Sequence, residues 1–233
     1  MQKTIFQILA LVACANGYSQ ETRYISHTEN GFHHSLLLPA GYEEVWWPES
    51  PWKSFRNEAS AAFKSMNLQM KNFAVIVPRK ALEDYSNGGQ NPMRGNYAYI
   101  SWYPKKRMPS ESATMAAFAQ YGNTSYDVRK AISSQENFDT YARKYLKNGS
   151  AINLGVFRRW ESGYIYSLAV NLEMNFNGNV IKSLKILSMG YQQTSNGYYC
   201  VNYVTIQEYG PSFDTHLDRC VLIAKSIKNS IIK

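Results

Sequence analysis

The chain is 233 residues long and carries few side chains of the kind that drive reactions: four histidines, His27, His33, His34 and His216, and three cysteines, Cys14, Cys200 and Cys220. An enzyme needs a nucleophile, a tuned acid or base, or a metal. His33-His34 with Glu43 or Glu44 has the composition of a metal site. Adjacent residues on a strand point to opposite faces, however, so one pocket rarely uses both, and the pair reads as a strand entry beside a tail. His216 with Asp214 or Asp218 suggests an acid–base dyad, yet residues two apart on a helix do not face each other. Asp214 reads better as first-turn charge that favours the helix dipole. As free thiols, Cys200 and Cys220 could act as nucleophiles, but both fall at apolar-face positions where a thiolate is disfavoured. No G-x-S-x-G, H-E-x-x-H, C-x-x-C or phosphate-loop pattern occurs. These residues point to no catalytic group, no cofactor and no metal.

Aromatic residues offer a second kind of chemistry. Tyr42, Trp46 and Trp47 precede Trp52, and aromatic clusters on loops stack on sugars or anchor protein partners. Tyr42, Trp46 and Trp47 are therefore a candidate binding surface for a glycan or small ligand. The competing reading makes Trp52 core and one of Trp46 and Trp47 a cap on the sheet, with one tryptophan exposed. Tyrosine-rich stretches such as YAYISWY could line a groove or be ordinary sheet. The formal charge is +8, or +7 without Lys3. The basic residues are scattered as Arg79-Lys80, Lys105-Lys106-Arg107 and Arg158-Arg159, with no basic helix stripe. That reads as a solvated basic surface and not as a nucleic-acid binder.

The elements that must position these residues follow from periodicity. His34–Leu38 reads as a strand closed by Pro39-Ala40-Gly41. Ser50-Pro51 starts a helix whose apolar face runs through Trp52, Phe55, Ala59, Ala62, Phe63 and Met66. Phe73–Val77 is a fully apolar strand, expected at the centre of a sheet. Residues 86–95 form a Gly-rich loop, and Tyr97–Tyr103 is a strand stopped at Pro104. Ser110–Gln120 reads as a helix with Met115, Phe118 and Ala119 inward. Ser133 and Glu136 form a capping box for another helix, ended at Asn148-Gly149. Strands near Tyr164–Phe176, Val180–Met189 and Tyr198–Gln207 form a meander through Asn177-Gly178-Asn179 and Ser195-Asn196-Gly197. A helix from Ser212 to about Ile227 closes the chain, with Phe213, Leu217, Cys220, Val221, Ala224 and Ile227 on one face. The result is an α+β fold, an antiparallel β-sheet with helices packed on it.

The first residues have another role. Lys3 precedes an apolar run, Thr4–Ala15, too short to span a membrane and suited to a secretory signal. Signal peptidase could cut after Ala15 or after Ser19. Leu11-Val12-Ala13-Cys14 also fits a lipoprotein box that would make Cys14 a lipid anchor. The division expected is a signal peptide over 1–19, a flexible tail over 20–33 and one α+β domain over 34–233. The protein is then exported, periplasmic or secreted, or held at the membrane by a lipid on Cys14. Cys200 and Cys220 remain as an even pair, able to form one disulfide in an oxidising compartment or to stay as buried thiols.

The closing stretch, Tyr198–Lys228 (YYCVNYVTIQEYGPSFDTHLDRCVLIAKSIK), is a Tyr/Val strand, a Gly-Pro break and a final amphipathic helix. Together with the opening HSLLLPAGY, it resembles the two ends of the PsbP-like α/β/α sandwich family. The two pieces cover about forty residues. That resemblance implies adaptor, chaperone-like or complex-stabilising roles, often in exported proteins or lipoproteins, with no shared catalytic constellation. The function expected is a non-catalytic accessory or binding protein of the bacterial cell envelope with a protein partner. The alternatives are a glycan or small-ligand module using the aromatic surface, and a divergent hydrolase.

Overall fold

The computed structural model describes residues 22–65, 72–119, 151–176, 179–206 and 211–232. The signal segment with Cys14, Met66, the expected helix after Ser133, and Asn177-Gly178 lie outside them.

Among the described residues, ten strands form two antiparallel sheets. The smaller has the order β1-β2-β10, from Arg23–Glu29, Phe32–Leu38 and Lys228–Ile231. The larger has seven strands in the order β3-β4-β5-β9-β8-β7-β6. These are Tyr42–Glu44, Asn72–Pro78, Tyr97–Pro104, Ala151–Trp160 (β6), Gly163–Phe176 (β7), Asn179–Thr194 (β8) and Gly197–Ile206 (β9). The four helices among the described residues are α1 (Arg56–Ser65), α2 (Arg79–Ser86), α3 (Glu111–Phe118) and α4 (Pro211–Ser226). The meander β6–β9 returns so that β9 lies beside β5, with Tyr103 opposite Tyr198 and Pro104 opposite Gly197.

Side-chain alternation divides the interior in two. On one face of the large sheet, Ile100, Trp102, Tyr199, Val201 and Tyr203 meet Leu36 and Leu38 of β2 and Leu217, Cys220, Ile223 and Ala224 of α4. The other face carries two clusters. Val75, Val77, Tyr97 and Tyr99 pack with Phe55, Ala59 and Phe63 of the α1 region and Leu82 of α2. Tyr164, Tyr166, Met189, Tyr191 and Cys200 pack with Phe118 of α3 and with Met108. The α+β reading holds, and helices cover both faces. Gly190 lets α4 sit close: a Cβ there would meet Cys220 Sγ and the Ala224 methyl at 3.1 Å.

Several expectations are corrected. Part of the stretch expected as a flexible tail is strand β1, because Asn30 and Gly31 both take positive φ (50° and 80°) and close a tight hairpin onto β2. Arg23 and Arg79 then pair with the buried Glu43 from two sides, fastening β1 and α2 to β3. Phe73–Val77 is buried on both faces but stands second from the sheet edge. In α3, Thr114 and Phe118 face the sheet, while Met115 is 45% exposed and Ala119 is exposed. Thr114 turns inward because its hydroxyl bonds the Tyr164 hydroxyl at 2.7 Å.

Candidate functional site

The polar groups singled out for chemistry are mostly absorbed by the core. His33 is exposed and His34 fully buried, on opposite sides of β2 as alternation requires. His34 lies among Phe73, Trp102 and Tyr199, with Nδ1 2.5 Å from the Tyr199 hydroxyl. Desolvation pushes its pKa down to about 4. His216 is buried under α4 beside the Tyr203 ring, and burial lowers it to about 4 as well. Both imidazoles are neutral near pH 7. Glu43 faces its two arginines. Glu44 accepts from the backbone N–H groups of Trp46 and Trp47, at 2.6 and 3.0 Å, while burial lifts its pKa to about 7. Among the described residues no group of three His, Cys, Asp or Glu side chains stands close enough to hold a metal ion.

The aromatic surface does not assemble. Tyr42 and Trp47 are buried in the core under α4, and Trp46 is half-buried on the opposite face. The Tyr42 hydroxyl bonds that of Tyr203 at 2.6 Å, and Trp47 Nε1 donates to the Phe73 carbonyl at 2.9 Å. Trp46 packs edge-on to Phe63 under the Arg56 guanidinium. Tyr42 and Trp47 can be buried this way because the polar tip of each finds a partner. The disulfide does not form either. Cys200 lies on the α3 face of β9, whereas Cys220 lies on the α4 face, and both thiols are free. Burial pushes Cys200 up to about 12 and raises Cys220 too, so neither supplies a thiolate.

An accessible cleft of about 920 Å³ lies at one end of the large sheet. Its walls come from three places: the strap Lys105–Met108 after β5, Glu161-Ser162 in the β6–β7 turn, and Gln193, Ser195 and Gly197 around the β8–β9 turn. These segments become neighbours because β9 pairs with β5, so the hairpin ends line up with the end of β5. Gly197 has φ 135°, and a Cβ there would lie 2.3 Å from the Tyr103 carbonyl, so this crossing requires glycine.

The strap is pinned along its length. Lys105 takes the left-handed conformation (φ 57°), uncommon outside glycine, and its N–H donates to the Asn196 carbonyl at 2.9 Å. The Met108 N–H donates to Gln193 Oε1 at 2.7 Å, and the Met108 side chain packs on the tyrosine cluster. The Tyr164 hydroxyl donates to the Pro109 carbonyl at 3.0 Å, and Ser110 caps α3. Gln193 joins all three walls: its N–H donates to the Ser162 carbonyl and its amide NH₂ to the carbonyls of Thr194 and Gly197, each at 2.8 Å.

Lys105, Lys106 and Arg107 are all exposed, and none forms an ion pair with the described residues. Four arginines elsewhere are paired: Arg23 and Arg79 with Glu43, Arg158 with Asp214, Arg159 with Glu111. Three adjacent cations on a rigid strap, with Glu161 the one carboxylate among the cleft's described lining residues, make a focused positive field that attracts anions. In the sequence these cations look like one basic cluster among several. The available signal is their place between Pro104, which ends β5, and Pro109.

The chain matches no family model, and no curated protein matches it. Among solved structures it is similar to the Ran-binding protein Mog1p of Saccharomyces cerevisiae, at 6% identity and a TM-score of 0.46, over 92% of this chain and 97% of that one. It is also similar to LpqN of Mycobacterium tuberculosis, described as involved in cell envelope biogenesis, at 11% identity and a TM-score of 0.36, over 95% and 96% of the two chains. Both likenesses are loose, and the fold is defined by this chain's own strand order.

Proposed function

We propose that this protein is an exported, non-catalytic accessory protein of the cell envelope that binds an anionic group of its partner in the cleft under the strap. The observation that carries the reading is the set of three cations, unpaired among the described residues, on a backbone pinned from both sides. The His34 and His216 imidazoles and the Cys200 and Cys220 thiols are neutral and enclosed, which fits a binding role better than turnover. Export rests on Lys3 and the apolar run Thr4–Ala15, and kinship with PsbP-like accessory proteins belongs to the same reading. Whether the mature chain starts after Ala15 or Ser19, or carries a lipid on Cys14, shows directly in its intact mass.

The test is co-sedimentation of the purified mature chain with isolated cell-envelope fragments. The protein is expected in the pellet at low salt and released near 1 M NaCl, where the screening length falls to about 3 Å. The triple charge reversal Lys105→Glu, Lys106→Glu, Arg107→Glu should stay in the supernatant. Equal sedimentation of that variant would refute the cleft as the contact site. A hydrolytic turnover abolished by His216→Ala would refute the non-catalytic reading.

A further inference from the structure

We infer that the cleft takes an anionic saccharide, a sugar chain bearing carboxylate or phosphate groups; this rests on the proposed reading and names its ligand. Lys105, Lys106 and Arg107 supply charge-assisted contacts to the anion. The remainder of the lining has the mixed character that hydroxyl groups need. Ser195 is exposed, Ser162 accepts from Gln192 Nε2 at 2.8 Å and keeps its own proton to donate, and Glu161 is an acceptor. Glu161 decides between ligand classes: a carboxylate beside the cations opposes a dense polyanion, whereas it accepts from sugar hydroxyls.

The lining argues equally against two other partners. A protein interface centres on large aromatic or apolar anchors, and Met108 is the sole large apolar residue among those lining the cleft. Single-stranded nucleic acid calls for stacking rings, and no aromatic side chain is among the described lining residues. The cleft's 920 Å³ lies near the upper end of the roughly 300–1,000 Å³ found for ligand sites, which suits several sugar rings better than a single ion.

Calorimetric titration of the mature chain at low salt tests this with four probes: trigalacturonate, glucose 6-phosphate, neutral cellotriose and triglutamate. Trigalacturonate or glucose 6-phosphate should bind at least tenfold more tightly than cellotriose and triglutamate. Lys106→Ala and Arg107→Ala, both exposed and safe for folding, should each weaken that binding about fivefold or more. Glu161→Gln, which removes the opposing charge and keeps an amide acceptor for sugar hydroxyls, should tighten triglutamate more than trigalacturonate. Triglutamate binding as tightly as trigalacturonate would overturn the saccharide and leave an anion-binding cleft. Cellotriose binding equally well, unaffected by the cation variants, would overturn both the saccharide's charge and the proposed contact site. If no probe binds while the wild type still sediments with envelope fragments, the saccharide inference fails and the accessory reading stands.

Discussion

Glu43 and the strap treat charge in opposite ways. The Glu43 carboxylate is buried and held by Arg23 from β1 and Arg79 from α2, so its charge fastens three elements together. Lys105, Lys106 and Arg107 are exposed and unpaired among the described residues, and their backbone is pinned instead of their charges. Charge inside the fold is neutralised by partners because an unpaired buried ion is costly. Charge at the cleft has no ion-pair partner among the described residues, so it contributes little to folding.

This contrast can be broken at several points. The largest effect is expected from Glu43→Ala, which leaves two guanidinium groups converging on an empty place. Denaturant unfolding should show a loss of about 3 kcal/mol, and a loss under 1 kcal/mol would mean the pairs are ornamental. Next comes acid sensitivity. The imidazoles of His34 and His216 have pKa values lowered to about 4, so the unfolded chain binds more protons between pH 6.5 and 4. Stability should fall as pH falls through that window, by about 1–3 kcal/mol per histidine. Glu44, raised to about 7, works in the opposite sense, since the folded form binds the extra proton between pH 7 and 4.5. The variant His34→Phe, His216→Leu should therefore show a flatter profile of urea midpoint against pH, and an unchanged profile would count against buried neutral imidazoles. The smallest effect is predicted for the triple charge reversal of the strap, which should alter stability by no more than about 0.5 kcal/mol while abolishing envelope sedimentation. A large destabilisation would place the strap cations with Glu43, as structural charges.

Much of the fold was legible from periodicity. Phe73–Val77, Tyr97–Tyr103, the three meander strands β7–β9 and the last helix all appear at or near the expected positions, whereas β6 was not anticipated. Helix α2 was missed because it follows β4 directly, with no turn signal, and buries only Leu82 fully. Strand β10 was hidden because its four residues simply follow the helix that precedes them. The inward face of α3 was misassigned because a polar residue, Thr114, turns to the sheet to meet a buried tyrosine hydroxyl, which no apolar pattern signals. At the candidate site the three cations were visible as residues, but their cleft was not. Its other walls lie more than fifty residues further along, in turns that look unremarkable alone.

By itself, the sequence determined where most of the long strands and helices form, which residues alternate across them, and that no familiar catalytic motif is present. Those are local properties, set by a period of two or of 3.6 residues. The tertiary structure decided which face of the large sheet α4 covers, and with it the separation of Cys200 from Cys220 and the burial of Tyr42 and Trp47. It also decided that β9 pairs with β5, which brings Ser162, Gln193 and Ser195 up to the strap. Pairing between distant strands depends on how whole faces are buried against one another, and that information is spread over the core instead of residing in any one stretch of chain.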